Sequence, residues 1–587
     1  MSGGTRDEGL SRRDWLSLVS PALAASAAPA AMLANGKPEV EAGAANDRGA
    51  RLHNVRAYGA KGDGTTLDTE AVQAAIDAAS KDDGGIVLVP AGDFLVGTLD
   101  LKSYVTLRLA AKGRLLGSAD PAHFKAGNGI PPSNGNIVLL SAANAQNIAI
   151  EGPGTIDGQG LKFFTGKGDN TGPGQNSAEG YFQRPHLVVF YNCEGVRMRD
   201  VFLTNSAYHC VRILQCKQVK FDGVRIHNRV NTNNDGFHFS SCEYVHVSNC
   251  DIQCQDDACA LFGSNKFVTI TSSSFSTRWA IFRFGGGQPE NITISNCIIY
   301  DTYGCAIKIR MGSRRQNRPD QQPDRMENVT FSNIIMKNVT GPISIGLGRG
   351  SRRPNPRATP SAGADPNATP TPEPPLLAGV IRNLRFEGIR GSVVSIPQHD
   401  YLHWKSGPRD NETGSEKWTA IVVNGAGEDT IEGITFSDVH LTFGGGGTVD
   451  QSRREIPKIA GEYFEIGTPP AYGLYARGVR GLTLDNVRFE TATPDLRPAV
   501  VFDRVQDAAI HRLSAQGNPG ADSLIRMTGA RDVLITDSRV LTPAAAFLRV
   551  EGGGNENIVV DGGDVSKAVK AVSLEKTVPA KAVKHRA

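Results

Sequence analysis

Tyr244-Val245-His246-Val247-Ser248-Asn249-Cys250 is the stretch that decides the fold, because its alternating apolar residues and terminal polar residues return along the chain. Further copies are Phe267-Val268-Thr269-Ile270-Thr271-Ser272-Ser273, Asn291-Ile292-Thr293-Ile294-Ser295-Asn296-Cys297 and Asn328-Val329-Thr330-Phe331-Ser332-Asn333-Ile334. The first three copies advance by 23 and 24 residues. Alternation with period two is typical of strands, and a repeat of roughly 20 to 50 residues is typical of a solenoid whose units stack. The sequence therefore predicts an all-β parallel β-helix.

Ionisable residues within residues 231–310 recur at spacings close to this repeat. Asp235 and Asp256 are 21 residues apart, and Arg283 and Lys308 are 25 residues apart. If each interval is one coil, equivalent side chains lie on strands about 4.8 Å apart. We therefore expect these residues to meet on one face of the solenoid and to form the candidate functional site.

Length and composition agree with one long solenoid. The 587 residues would correspond to about four domains of roughly 150 residues each, but a solenoid explains the length with a single domain. The chain is 40% hydrophobic and only 7% aromatic, with 66 Gly, which suits many short strands and turns. A net charge of +3 favours neither a nucleic acid nor a membrane surface as partner.

Residues 1–34 are predicted to be a targeting segment outside the fold. Ser11-Arg12-Arg13-Asp14-Trp15-Leu16, followed by an uncharged alanine-rich run to Ala34, resembles a twin-arginine export signal. The run is too short and too weakly apolar for a stable membrane span. We expect an exported protein, periplasmic or extracellular.

The folded part is predicted to be a single β-helix domain over residues 53–566. Near its start, Asp68 can cap a helix whose apolar face we expect to cover the open first coil; that face consists of Ala71, Val72, Ala75, Ile76 and Ala79. Inserted loops are predicted at about 311–326 and 349–378, and a polar tail at 567–587.

All nine cysteines lie in the central coils. Cys250 and Cys297 occupy the same place in the repeat two coils apart, with Ser273 between them, which predicts small buried side chains in a stack. The spacings do not match a zinc site. We expect no metal, no cofactor and no need for a disulfide framework.

Several motifs occur together in one order and resemble the polygalacturonase family of glycoside hydrolases, family 28. They are Asn54-Val55-Arg56-Ala57-Tyr58-Gly59, Gly154-Thr155-Ile156-Asp157-Gly158, Arg184-Pro185, Asn205-Ser206-Ala207-Tyr208-His209, Asn233-Asn234-Asp235-Gly236 and Gln255-Asp256-Asp257. The match covers roughly residues 53 to 311. The resemblance implies a right-handed parallel β-helix that hydrolyses pectic polysaccharides with inversion.

Three aspartates provide the chemistry that such a reaction needs. Inverting hydrolysis uses one protonated carboxyl for the leaving oxygen and another carboxylate for the attacking water, about 6.5 to 9.5 Å apart. By resemblance, Asp256 is the general acid, and Asp235 and Asp257 hold the water. Asp256 and Asp257 can both reach the cleft only if a turn interrupts the strand between them. Crowding of the carboxyls raises their pKa values and keeps one of them protonated.

The chain also departs from the family, and the departures concern the cleft wall. The family's histidine on the next coil is missing near residues 278–280, and Trp279 or Arg283 takes its place. Alternation predicts Trp279, Ile281 and Arg283 on the cleft side. The family has an arginine two residues before this lysine, where the chain has Ala306. Arg310, two residues after Lys308, restores the positive charge on the same face.

Two histidines complete the predicted substrate-binding residues. His238 stands where the family often has aspartate, and His209 belongs to the motif one coil earlier. Lys308 and Arg310 suit a uronate carboxylate. The predicted partner is therefore a pectin-like or other uronate-containing polysaccharide, bound by a monomer with no nucleic acid involved.

Two alternative functions remain open on the same fold. One is a polysaccharide lyase or uronate epimerase, in which Lys308, Arg310 or Arg283 would neutralise the sugar carboxylate. The other is a carbohydrate-binding solenoid without catalysis. Retention of all three aspartates favours the hydrolase, because a mere binding protein does not need crowded carboxylates.

Overall fold

The repeat in the sequence is a stack of parallel strands. Val245 pairs with Val268, Val268 with Ile292, and Ile292 with Val329, each pair in parallel register. The copies of the repeat thus lie directly above one another, one per coil. This confirms the predicted parallel β-helix.

The computed structural model describes residues 51–131, 137–163, 184–231, 233–312, 314–315, 320–349, 376–394, 419–427, 430–461 and 463–586. These residues belong to one compact unit, 48–587. The predicted export signal, and most of the predicted loop at 349–378, lie outside the described residues. Within the described parts, no helix is long and apolar enough to cross a bilayer.

Two long sheets form the walls of the β-helix in the described chain. The larger, here the long sheet, contains the strands Leu52–Asn54, Asp63–Leu67, Gly85–Val89, Gly92–Val96, Val105–Leu109, Gly113–Gly117, Gln146–Glu151, Thr155–Asp157, Glu194–Arg199, Phe202–Thr204, Lys217–Asp222, Arg225–Asn228, Glu243–Ser248, Asp251–Cys254, Lys266–Thr271, Ser274–Thr277, Glu290–Thr302, Arg325–Val339, Val380–Val393, Thr430–Phe443, Val479–Thr491, Gln506–His511, Ser514–Ala515, Arg531–Thr536, Arg539–Val540, Glu556–Asp561 and Val583–Arg586.

The second sheet, here the cleft sheet, contains Leu99–Asp100, Lys125–Ala126, Ile137–Ala143, His186–Tyr191, Val211–Leu214, Phe237–Ser240, Cys259–Phe262, Ala280–Gly285, Cys305–Gly312, Ile343–Gly348, Ile421–Gly425, Leu474–Arg477, Val500–Asp503, Ile525–Thr528, Ala544–Glu551 and Ala568–Leu574. Arg314–Arg315 and Leu376–Leu377 form a separate antiparallel pair.

Alternation along the cleft sheet separates the core from the outer face. Phe237, Cys259 and Phe282 are aligned on successive coils and are fully buried in the main apolar core. The next residue of each strand belongs to an outward column, aligned from coil to coil as Arg212, His238, Ala260, Arg283 and Lys308. The cleft sheet thus places charged and aromatic side chains of distant repeats side by side.

The predicted helix near the start of the domain spans Thr69–Lys81, with Val72, Ala75, Ile76 and Ala79 buried. It packs against the first strands of both sheets; that it caps the solenoid stays a prediction. Asp68 stands at the cap position, but its side chain makes no capping hydrogen bond. Its carboxylate instead accepts hydrogen bonds from the backbone N–H groups of Lys61 and Gly62, at 2.7 and 2.8 Å.

The other helices of the described chain are short. The α-helical turns are Val449–Ser452 and Tyr463–Ile466, and the 3₁₀ turns are Val55–Tyr58, Pro121–His123, Gly160–Phe163 and Ala580–Ala582.

The buried cysteines include the predicted stack of small side chains, which consists of Cys250, Ser273 and Cys297. All nine are buried free thiols. The backbone N–H of Cys250 donates to Ser273 Oγ at 3.0 Å, and Asp251 pairs with Ser274, so Ser273 lies one coil above Cys250. Burial raises the pKa of Cys250 to about 12, which keeps its thiol protonated and unreactive.

The prediction of a polar tail at 567–587 is wrong. Ala568–Leu574 pairs in parallel with Ala544–Glu551, and Val583–Arg586 pairs in parallel with Glu556–Asp561. The buried Val578 and Ala582 belong to the main core. Charged and apolar residues are interspersed in residues 567–587, so the polar composition of this segment did not reveal the strands of one more coil.

Candidate active site

The two neighbouring aspartates are presented by a bend, as predicted. The chain bends over 255–258, between the strands Asp251–Cys254 and Cys259–Phe262. Strict alternation is therefore interrupted at Asp256 and Asp257. The Thr277 hydroxyl donates to the carbonyl of Asp256 and holds the bend against the next coil.

The third aspartate lies one coil away in aligned register. The backbone N–H of Gly236 donates to the carbonyl of Asp257 at 2.9 Å, so Asp235 is level with Asp257. The neighbouring Asn234 is fully buried and positions this loop. Its amide nitrogen donates to the carbonyls of Ser206 and Tyr208, both at 2.9 Å.

The three carboxyl groups have different surroundings. Asp235 and Asp257 are only 4% and 3% exposed, whereas Asp256 is half-buried. Arg283 Nη1 lies 3.0 Å from Asp257 Oδ2, and Asn233 Nδ2 donates to Asp256 Oδ2 at 3.3 Å. Asp256 is thus the carboxyl most open to a ligand.

Asp235 is the carboxyl whose protonation the site alters most. Burial raises the pKa of Asp235 well above its ordinary value, and the negative charges of Asp256 and Asp257 raise it further. Arg283 and Arg212 act in the opposite direction but do not overcome the rise. The cluster therefore retains a proton at a pH where isolated carboxyls would be ionised.

Three histidines line the wall beside Asp235. His209 stacks on His238 with ring centroids 5.1 Å apart, and His186 lies 5.0 Å from His209. Burial lowers the pKa of all three, and together with Arg212 and Arg283 it lowers the pKa of His238 to about 3. At neutral pH these rings are therefore uncharged.

His238 also contacts Asp235 directly, with Nδ1 3.0 Å from Oδ2. A charged pair would require a protonated imidazole and an ionised carboxyl. The pKa of Asp235 is raised and that of His238 is lowered, and both shifts favour the uncharged forms. The contact is thus a hydrogen bond rather than an ion pair.

The same cluster is the place where a cation could be held. His209, Asp235 and His238 each offer one ligand atom, all within 4.8 Å of one another. Two imidazoles and a carboxylate form a donor set that transition metals accept. The sequence predicts no metal, and this stays a prediction.

The other predicted substrate-binding residues, Trp279, Arg283, Lys308 and Arg310, lie on the two following coils. Arg283 pairs with Lys308 in register. Lys308 Nζ lies over the half-buried Trp279 ring, 4.6 Å from its centroid. Arg310 Nη1 lies 3.5 Å from a carboxylate oxygen of Glu465, which sequence spacing did not link to the cleft.

The prediction that Ile281 lies on the cleft side is wrong. Ile281 is fully buried in the main core, as is the adjacent Phe282. The equivalent neighbours Ala258 and Cys259, one coil earlier, are both in that core as well. The chain turns a corner as it enters the cleft sheet, so two successive residues point inward there.

Four further residues of this wall were missed by the sequence analysis. The Arg184 guanidinium lies 4.5 Å from the Tyr208 ring centroid, and an Arg212 nitrogen lies 3.4 Å from His186 Nε2. Arg184 and Tyr208 occur in the motifs quoted above but were not predicted to belong to the site. Arg212 is visible only once coil register is known, because it aligns with His238.

Comparison with known proteins identifies the central region. Residues 84–348 match the model of glycosyl hydrolases family 28. An exo-poly-alpha-D-galacturonosidase from Dickeya chrysanthemi is 32% identical over 251 residues, which are 35% of this chain and 41% of that protein. An exopolygalacturonase from Platanus acerifolia is 25% identical over 303 residues, covering 50% of this chain and 74% of that protein. The chain thus spans less than half of the first relative and about three quarters of the second.

The solved structures agree on the fold. The hyperthermoactive exopolygalacturonase of Thermotoga maritima superposes with a TM-score of 0.54 at 19% identity, covering 75% of this chain and 92% of that one. At that identity the likeness concerns the fold alone.

Fold and relatives together define a parallel β-helix protein whose central region is similar to glycoside hydrolases. Residues 84–348 resemble glycosyl hydrolases family 28, and the curated relatives reported above are a galacturonosidase and a polygalacturonase. The resemblance first recognised in the sequence motifs is thereby confirmed.

Proposed function

We propose that this protein hydrolyses glycosidic bonds of a uronate-containing, pectin-like polysaccharide with inversion of the anomeric configuration. The observation that carries the proposal is the carboxyl cluster, in which Asp235 has a raised pKa beside Asp256 and Asp257. A hydrolase of this kind needs one protonated and one ionised carboxyl in the same cleft.

Asp256 is the general acid in this proposal. It is the least buried of the three carboxyls and can therefore approach the glycosidic oxygen. Because the carboxyls interact, the retained proton belongs to the cluster rather than to one residue. Asp256 donates that proton to the leaving oxygen as the bond from this oxygen to the anomeric carbon breaks.

Asp257 and Asp235 orient the attacking water. The contact between Asp257 and Arg283, at 3.0 Å, favours an ionised Asp257 carboxylate. The water attacks the anomeric carbon from the face opposite the leaving group, and its proton passes to this carboxylate. The product then carries a new reducing end of inverted configuration.

The cleft wall supplies groups that suit an acidic sugar. Lys308, held over the Trp279 ring, offers a positive charge beside an aromatic face. Arg310 is the second cation on this side. His209 Nδ1 is buried without a hydrogen-bond partner among the described residues, and a sugar hydroxyl or bound water would satisfy it.

Proton NMR of the purified protein acting on pectic oligosaccharides tests the proposal. We expect an anomeric signal of inverted configuration within the first minutes. Vinylic protons of an unsaturated uronate would instead establish a lyase, and hydrogen exchange at C5 without cleavage an epimerase. Line broadening without any chemical change would support the non-catalytic binding protein.

We further propose that the protein is exported and acts as a monomer. Support for export comes from Arg12-Arg13 and the alanine-rich run that follows. Replacing both arginines by lysine is expected to retain the protein in the cytoplasm, measured by cell fractionation. Sedimentation of the purified protein tests the monomer.

A further inference from the structure

Tyr244 and Phe267 occupy a backbone position that suits neither of them. Their φ angles are +57° and +55°, in the left-handed region that bulky residues rarely adopt. The flanking pairs of the long sheet align Tyr244 with Phe267, and Phe267 with Asn291 on the next coil. Two large aromatic residues therefore hold a position that costs them conformational energy.

On the following coils the equivalent position is occupied by asparagine. Asn328 Nδ2 donates to Asn291 Oδ1 at 3.0 Å, and Asn383 Nδ2 donates to Asn328 Oδ1 at 2.7 Å. Asparagine tolerates the left-handed conformation, and its amide links one coil to the next. Tyr244 and Phe267 give up both advantages, and their rings pack on each other rather than into the core.

The two rings stack on each other and are half exposed to solvent, and the pair is here called the aromatic platform. Their centroids are 5.0 Å apart, with an interplanar angle of 10°. Tyr244 is 47% exposed and Phe267 is 43% exposed. This aromatic platform lies on the long sheet, whereas the candidate active site lies on the cleft sheet.

Basic side chains flank the platform. Arg197, Lys220 and His246 are aligned on three successive coils, all exposed, and line a groove together with Tyr244. Neither Arg197 nor Lys220 forms an ion pair with any residue that the structure describes. The nearby Lys266, by contrast, is paired with Glu290 at 2.8 Å.

We propose that Tyr244 and Phe267, with Arg197 and Lys220, form a second binding surface for a uronate-containing polysaccharide. An aromatic face can cover the apolar face of a sugar ring, and guanidinium and ammonium groups bind carboxylates. Because Arg197 and Lys220 form no ion pair with the described residues, they are available to the carboxylates of a uronate chain. A nucleic acid would require a denser basic stripe. The surface would hold the polymer while the cleft acts on it.

Affinity electrophoresis in gels containing polygalacturonate tests this surface. The main variant is Tyr244→Asn with Phe267→Asn, which restores the asparagine of the neighbouring coils and should leave thermal stability equal or higher. A second variant is Arg197→Gln with Lys220→Gln. Leu534→Asn removes another exposed apolar side chain of the long sheet and is the matched control.

We expect polygalacturonate to retard the wild-type protein and the control equally. Each double variant should bind about tenfold more weakly, equivalent to about 1.4 kcal/mol, while turnover of a short oligosaccharide stays unchanged. Unaltered retardation of the aromatic variant would overturn the proposal, as would equal retardation by neutral dextran or single-stranded DNA, or no retardation of the wild type. Retardation without turnover would contradict the proposed hydrolysis and leave this surface standing, so the two failures are distinguishable.

Discussion

At the scale of single residues, surroundings rather than residue type separate the three aspartates. Asp257 faces a guanidinium, Asp235 faces an imidazole and two other carboxyls, and Asp256 is the most open of the three. Identical side chains thereby meet different electrostatic surroundings, and the pKa of Asp235 is raised. Two predictions follow from these surroundings.

Asp256→Asn should lower kcat by about 10²- to 10⁴-fold, because general acid assistance is typically worth that factor. Folding should change little, since the amide can keep the contact to Asn233. The rate of new reducing ends from a pectic oligosaccharide measures the effect. Asp251→Asn, on the same coil but on the long sheet, is the control and should stay near wild-type activity. Near wild-type turnover in Asp256→Asn would refute the assignment.

Asp235→Asn should stabilise the protein at neutral pH while abolishing most activity. The raised pKa means that the folded state binds the Asp235 proton more tightly than the unfolded chain. Asp235 therefore makes its full contribution to the free energy of unfolding below its pKa in the unfolded chain, about 3.9. That contribution is lost as the pH rises through the pKa of Asp235 in the folded protein.

Asparagine avoids that loss because it does not ionise. We expect a gain of about 1 kcal/mol at pH 7, typical of substitutions at strained functional sites, that vanishes below about pH 4, where Asp235 is protonated in both states. Urea unfolding at pH 7 and pH 3.5 measures it. A variant less stable than wild type at pH 7 would contradict this reading of the site.

At the scale of elements, the coils are joined by columns of like side chains. Phe331, Phe386 and Phe436 are fully buried on successive strands, with centroids 5.2 and 4.9 Å apart and interplanar angles of 1° and 14°. Parallel pairing in register aligns them. Such a column packs each coil against its neighbours, so loss of one ring should destabilise the adjacent coils as well.

Phe386→Ala should destabilise the fold by about 3–5 kcal/mol, the usual cost of emptying a buried phenylalanine site. The cavity would remove contacts with both neighbouring rings. Thermal and urea unfolding measure the loss. Ile335→Ala, at a site 51% exposed on an adjacent strand, should cost little. A loss below about 1 kcal/mol for Phe386→Ala would mean that the coils repack around the gap.

At the scale of the whole molecule, an end coil of a solenoid has an unpaired strand edge that needs to be covered. The strands Ala568–Leu574 and Val583–Arg586 cover the preceding coil, and Val578 and Ala582 contribute to the core. An uncovered coil would expose backbone N–H and C=O groups and apolar side chains, which favours edge-to-edge association.

Deletion of residues 567–587 should therefore lower the unfolding midpoint and promote self-association. Urea unfolding and size-exclusion chromatography measure the two effects. Val569→Asn, at a side chain 83% exposed within the same segment, should leave both unchanged. A truncated chain with wild-type stability and no association would show that the last coil is dispensable.

The sequence by itself determined the coil and pointed to most residues of the candidate site. The period of the repeat and its alternation are local properties, so they revealed parallel stacking, the cysteine column and the bend at Asp256 and Asp257. They failed where the chain leaves regular alternation, as at Ile281, and where overall polarity hid a strand, as in the last coil.

Only the tertiary structure decided which groups act on one another. Arg310 meets Glu465, Arg283 meets Asp257, and His238 meets Asp235 because folding sets the distances between them. The raised pKa of Asp235 likewise depends on burial and on charges from two coils. Electrostatic interaction depends on distance and surroundings, and a sequence specifies these only after its coils have stacked.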